Sequence, residues 1–109
     1  MVWQDRRSGN YDIYFAKSMD GGKNFPFNTK VNDAFSGTAD QLTPKLAVDT
    51  AGVIYVVWQD KRADINGDIY FSKSFDGGIS FASNMQLTSS ANQENWPSVA
   101  VFSTYVYVV

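Results

Sequence analysis

Two passages of this chain nearly repeat one another. Trp3-Gln4-Asp5-Arg6-Arg7 returns as Trp58-Gln59-Asp60-Lys61-Arg62, and Asp12-Ile13-Tyr14-Phe15-Ala16-Lys17-Ser18 returns as Asp68-Ile69-Tyr70-Phe71-Ser72-Lys73-Ser74. The offset is 55 at Trp3/Trp58 (58 − 3) and 56 at Ser18/Ser74 (74 − 18), so the copies differ by one inserted residue. A repeat of this length constrains the fold more than any single residue does. Each copy is one supersecondary unit, and such units bury their apolar faces by stacking on their neighbours.

The units read as strands. Val53-Ile54-Tyr55-Val56-Val57-Trp58 is a continuous β-branched and aromatic run after the Ala51-Gly52 turn, the pattern of a strand covered on both faces, and Tyr105–Val109 is its second copy. Ile13–Phe15 and Ile69–Phe71 are the next strands, each running into an Asp-Gly-Gly turn, and weaker runs follow at 25–31 and 81–87. Pro44 and Pro97 each open a further run, and the first position of a strand is one of the few places where a sheet tolerates proline. No window shows sustained apolar spacing at 3.6 residues, so the expected class is all-β. One unit is then a four-stranded antiparallel meander over about 45–49, 53–60, 68–74 and 81–87. A strand-built repeat of this length is what a propeller blade has. On that reading residues 1–109 are one propeller segment: 43–88 is a complete blade, and a second blade is split between 1–42, its later strands, and 89–109, its early strands. Because both ends fall inside a strand, a piece of a longer propeller is the preferred reading.

Composition narrows the chemistry. Cysteine and histidine are both absent, which removes thiolate nucleophiles, disulfides, the commonest general base and every Ser-His-Asp arrangement. The net charge is −2, and the 9 basic residues are scattered, so no patch argues for nucleic acid or an anionic membrane. No apolar run is long enough for a membrane helix, and the N-terminal residues lack the basic-then-apolar pattern of a signal peptide.

The Asp-Gly-Gly turns carry a longer motif. Ser18-Met19-Asp20-Gly21-Gly22-Lys23-Asn24-Phe25 and Ser74-Phe75-Asp76-Gly77-Gly78-Ile79-Ser80-Phe81 both fit Ser-x-Asp-x-Gly-x-x-aromatic. This resembles the Asp box of the bacterial neuraminidase repeat in sialidase-like β-propellers. The resemblance implies a propeller blade with the box between its third and fourth strands, an extracellular or periplasmic setting, and carbohydrate recognition. The residue types themselves ask only for a turn. Gly22 and Gly78 supply positive φ, Ser18, Asp20, Ser74 and Asp76 cap backbone N–H groups, and Phe25 and Phe81 pin the turn to its blade.

Asp5 with Arg7, and Asp60 with Arg62, form the second repeated element. An ion pair that orders a loop is the plain expectation, since arginine's planar fork suits that task, and recognition of a carboxylate or hydroxyl ligand is the sharper one. Sialidases grip a carboxylate with three arginines. Here the arginines are Arg6, Arg7 and Arg62, and Arg6 and Arg7 are strand neighbours that point to opposite faces. The family's tyrosine–glutamate pair fares no better, because the sole glutamate, Glu94, lies in a polar loop far in sequence from the tyrosines. Tyr14, Tyr70, Tyr55 and Tyr107 repeat with the strands and read as packing residues. No catalytic residue is therefore assigned, and a glycoside hydrolase is expected only as part of a longer propeller. Asp64, Asn66 and Asp68 place oxygens at alternate positions around Gly67, as a Ca²⁺ loop does, yet the first repeat answers with only Asn10 and Asp12, so an Asx-type turn is preferred and no cofactor is assigned. Trp96 beside Pro97 is a candidate for stacking on a sugar.

The expected partners are a glycan and other copies of the chain. Tyr105–Val109 and Asp12–Ser18 read as open strand edges, and edges recruit partners. Pairing them between copies would complete the split blade, with three copies supplying six blades.

Overall fold

In a computed structural model that describes residues 1–35, 37–89 and 91–109, the chain is all-β, without helix among those residues. Three antiparallel sheets follow in order. The first holds β1 (Val2–Asp5), β2 (Asp12–Phe15) and β3 (Thr29–Lys30), the second holds β4 (Gln41–Val48), β5 (Ile54–Asp60), β6 (Asp68–Ser74) and β7 (Met85–Gln86), and the third holds β8 (Val99–Phe102) and β9 (Tyr105–Val108). The four-stranded sheet is the meander expected from the sequence, with neighbours in chain order. β4 lies against β1 and β2 of the first sheet and against β8 of the third, so the second sheet contacts both of the others.

The repeats pair their strands in the same register. Trp3 stands opposite Tyr14 as Trp58 stands opposite Tyr70, and Asp5 opposite Asp12 as Asp60 opposite Asp68. One core joins both repeats: Ile13, Phe15 and Val31 from the first repeat meet Ile54, Val56, Trp58 and Tyr70 from the second, with Val2, Leu46 and Phe81 at its margin. The β-branched run of β5 fills this core because six of its seven residues are buried, so it gains from apolar side chains on both faces.

Four expectations are corrected. The runs at 25–31 and 81–87 contain only two-residue strands: 25–28 and 81–84 lie outside any strand, and in the first run Pro26 has no N–H to give a ladder. Pro44 does not open a strand; it sits within β4 where the register slips between Leu42 and Lys45, and a bulge suits a residue with no N–H to give. The Asp12–Ser18 strand has no open edge over its paired length. β1 and β3 flank β2, and Met1 exchanges hydrogen bonds with Ala16 on the side of β1. Pairing of Tyr105–Val109 with that strand is thereby blocked. Tyr107 is 53% exposed and does not join the core, whereas Tyr14 and Tyr70 are buried.

Candidate functional site

The repeated Trp-Gln-Asp-x-Arg run builds the same small cluster twice. At the end of β5, the Asp60 carboxylate accepts Trp58 Nε1 at 2.8 Å, the Arg62 backbone N–H at 2.9 Å, and Arg62 Nε and Nη2 at 3.0 and 2.7 Å. The guanidinium lies over the Tyr70 ring, 4.6 Å from its centroid. At the end of β1, Asp5 accepts Trp3 Nε1 at 3.1 Å and the Arg7 N–H at 2.9 Å, pairs with Arg7 Nη2, and Arg7 lies 4.2 Å from the centroid of Tyr14. The Arg7 guanidinium and its N–H hold the Asp5 carboxyl well below the usual carboxylate range. Alternation along the strand makes this local: Trp and Asp, two apart, share a face, and Asp meets the Arg two residues later as the strand ends.

The surroundings of the two arginines differ. Arg62 also bonds Asp33 through Nη1 and Asn84 Oδ1 through Nη2 at 2.9 Å. Asp33 belongs to the first repeat. It closes a joint with Asn84, donating its N–H to Asn84 Oδ1 at 2.7 Å while its Oδ2 accepts the Asn84 N–H at 3.0 Å, and Asn84 Nδ2 donates to Val31 O at 3.2 Å. Arg7 makes the matching bond to Asn28 Oδ1 at 3.3 Å, but Asp5 is its one carboxylate partner among the described residues, and its side chain is 46% exposed against 24% for Arg62.

Behind Arg62 a buried polar chain crosses between the sheets. Gln41 Nε2 donates to Asp60 Oδ1 at 3.2 Å, Asn32 Nδ2 donates to Gln41 Oε1 at 3.0 Å and to Asp12 Oδ1 at 2.9 Å, and Lys30 pairs with Asp12 at 3.1 Å. Asp12, Asn32, Gln41 and Asp60 are all buried, so each needs these partners to offset lost hydration. Asp60 and Asp68 stand directly opposite on β5 and β6, a like-charge pairing that costs stability unless each is answered. Arg62 and Trp58 answer Asp60, and Gln86 answers Asp68 at 3.0 Å.

The Asp boxes are turns stapled from within. Ser18 Oγ donates to Asp20 Oδ1 at 2.7 Å and accepts the Gly22 N–H at 2.8 Å, while Asp20 accepts the Lys23 and Asn24 N–H groups at 3.0 and 2.9 Å. Ser74 and Asp76 repeat the pattern with Gly78 and Ser80. Bonds from Asn24, by side chain and backbone, and from Ser18 lower the Asp20 carboxyl to about 2, and bonds from Ser80 and Ser74 do the same for Asp76. The aromatic of the box acts differently from expectation. Phe81 packs edge to face on Phe15 of the other repeat, centroids 5.6 Å apart, so it pins the turn to the neighbouring unit; Phe25 is 38% exposed.

Of the remaining candidates, Asp64 Oδ1 accepts the Asn66 N–H at 2.7 Å in an Asx turn, Asn66 Nδ2 donates to Ala91 O at 2.9 Å, and Asp68 is buried against Gln86. No group of three or more carboxylates gathers for a metal among the described residues. Trp96 is 76% exposed with φ 57°, and Thr43, 53 residues earlier (96 − 43) and likewise before a proline, has φ 52°. Both non-glycine residues hold a sparsely populated conformation at the same point of their repeat.

Sequence reasoning missed Asp33, Asn84, Asn32 and Gln41. Asn28 and Asn84 stand at the repeat offset of 56 (84 − 28) and were open to detection, whereas Asp33 has Ser89 in its place and leaves no repeat signal. No protein-family description, curated protein or solved structure matches this chain.

Proposed function

We propose that the chain is a segment of a sialidase-like β-propeller whose repeated aspartate–arginine elements fasten one blade to the next, making it a non-catalytic scaffold. The observation that carries this reading is the engagement of Arg62 by Asp60, Asp33 and Asn84, with Tyr70 beneath it. An arginine so held has its donors committed inside the protein, where a ligand-gripping arginine must leave them to the substrate. The in-phase Asp boxes and the four-stranded meander support the blade assignment. A fluorogenic sialoside tests it: the expected result is no release, and turnover that scales with protein through repurification would overturn the scaffold reading in favour of an exo-sialidase or another glycoside hydrolase.

Carbohydrate recognition is a second reading, and Trp96 favours it. An exposed indole held outward on a strained backbone offers a flat apolar face of the kind that stacks on sugar rings. On a glycan array, hits that vanish in Trp96→Ala while the fold persists support this reading. Silence of the unaltered protein counts against it.

A further inference from the structure

The contacts that join the two repeats supply a template for a contact that only one side of the chain has made. On the second repeat, four residues receive the first. Arg62 and Asn84 take Asp33, Asn84 also takes the Val31 carbonyl, Phe81 packs on Phe15, and Gly78 lies so close to the Phe15 ring that a Cβ there would overlap it. The first repeat carries the same four residue types at the same places: Arg7, Asn28, Phe25 and Gly22. All four are exposed, and the Cβ position of Gly22 has no atom within 4 Å among the described residues.

The complementary residues are present in the second repeat. Phe15, Val31 and Asp33 of the first repeat correspond to Phe71, Leu87 and Ser89 of the second. Phe71 and Leu87 line an apolar groove of about 320 Å³ with Met85, Val106 and Val108. Its make-up matches half of the core between the repeats. Phe71, Leu87, Val106 and Val108 stand where Phe15, Val31, Ile54 and Val56 stand, and what it lacks is the Trp58, Tyr70 and Phe81 side. The first repeat holds those as Trp3, Tyr14 and Phe25.

We propose that the face formed by Arg7, Gly22, Phe25 and Asn28 docks a second copy of this chain, which seats its Phe71, Leu87 and Ser89 there. The inference rests on the reading that the aspartate–arginine elements fasten repeats together. The contact is head-to-tail, so it joins unlike faces and propagates until the rotation closes a ring. Ser89 is the weak point of the match. A hydroxyl gives Arg7 and the Asn28 N–H a neutral acceptor where Asp33 gives Arg62 and Asn84 a carboxylate, and charge-assisted bonds are about twice as strong as neutral ones.

That difference makes the test. Sedimentation velocity over a concentration series is expected to show reversible self-association of the unaltered chain. Ser89→Asp, which restores the carboxylate, is expected to tighten it about tenfold, and adding Arg7→Ala to Ser89→Asp is expected to cancel that gain. Phe25→Lys is expected to weaken association of the unaltered chain. If the unaltered chain and Ser89→Asp both remain monomeric with native near-ultraviolet circular dichroism, the docking face is refuted. Association that ignores Ser89→Asp, Arg7→Ala and Phe25→Lys refutes it as well, since another surface is then responsible. These outcomes are separable from failure of the scaffold reading, which is judged by sialoside turnover on any oligomer.

Discussion

Asp33 and Asn84, 51 residues apart in the chain, each give a backbone N–H to the other's side chain, at 2.7 and 3.0 Å. The exchange ties the segment after β3 to the segment before β7, and Arg62 completes it by pairing with Asp33. Repeats held this way share one core and one polar joint, so loss of either is expected to loosen both units together.

The asymmetry of the two arginines gives the first prediction. Arg62→Ala strips the buried Asp60 carboxylate of its cation and leaves Asp33 and Asn84 without their third partner. A loss of about 2–3 kcal/mol is expected in chemical denaturation, as for removal of one member of a mostly buried pair. Arg7→Ala removes the same residue type from an exposed cluster and is expected to move the midpoint far less. Equal losses in the two variants would contradict the joint as described.

Much of this was legible in the sequence, and what escaped did so for physical reasons. Continuous β-branched and aromatic runs located β5 and β6 because both strands are largely buried. β3 and β7 were overdrawn because Phe25 and Phe81, which look like strand residues, close the Asp boxes and lie ahead of Thr29 and Met85, where the strands begin. The Asp-box bonds were legible because they are local, within four residues. The joint was not, since it depends on pairs 29 and 51 residues apart that meet at Asp33, which the second repeat replaces with Ser89. The edge assigned to Asp12–Ser18 failed because Met1 and β1 already occupy it.

The Asp boxes set an acid limit. Asp20 and Asp76 titrate at about 2 in the folded chain against 3.8 ordinarily. A carboxyl whose folded value is depressed contributes stability that is fully present above the unfolded value and is lost as pH falls through the folded one. Thermal midpoints are therefore expected to drop between about pH 4 and pH 2. In the double variant Asp20→Asn, Asp76→Asn, whose amides bond the turn without titrating, the midpoint is expected to start lower by a few degrees and to fall less steeply over that window. A slope equal to that of the unaltered chain would assign acid sensitivity to other groups.

Gly78 and Gly22 share the left-handed backbone, at φ 89° and 92°, but of the two only Gly78 faces a neighbour among the described residues. Alanine at either site costs about 1–2 kcal/mol for the backbone conformation. At Gly78 the new Cβ overlaps Phe15 Cε1, so the ring between the repeats must move. That displacement adds about 1–3 kcal/mol of overpacking. Paired urea melts check the difference, and a Gly78→Ala variant as stable as Gly22→Ala would show that the Phe15 contact yields freely.

Gln41 is the neutral link in a chain of buried polar groups, with Asp60 on one side and Asn32, backed by Asp12, on the other. Its amide can donate to Asp60 and accept from Asn32 at once, which a carboxylate cannot do. Gln41→Glu therefore puts a second acid against Asp60 in a site closed to water, and burial together with the neighbouring charge pushes the new carboxyl up from the ordinary glutamate value of about 4.3. Here the sign reverses relative to the Asp boxes. A carboxyl with a raised folded value binds a proton more tightly in the folded state, so stability falls as pH rises from the unfolded value to the folded one. The variant is expected to lie close to the unaltered chain near pH 4 and to lose ground steadily toward neutrality, whereas Gln41→Leu, which takes one partner from each neighbour without titrating, is expected to show a constant deficit of about 1–3 kcal/mol. Denaturation across pH 4 to 8 checks the pair, and a pH-independent deficit in Gln41→Glu would mean that the site admits water and that the chain from Asp12 to Asp60 is not the closed network its geometry describes.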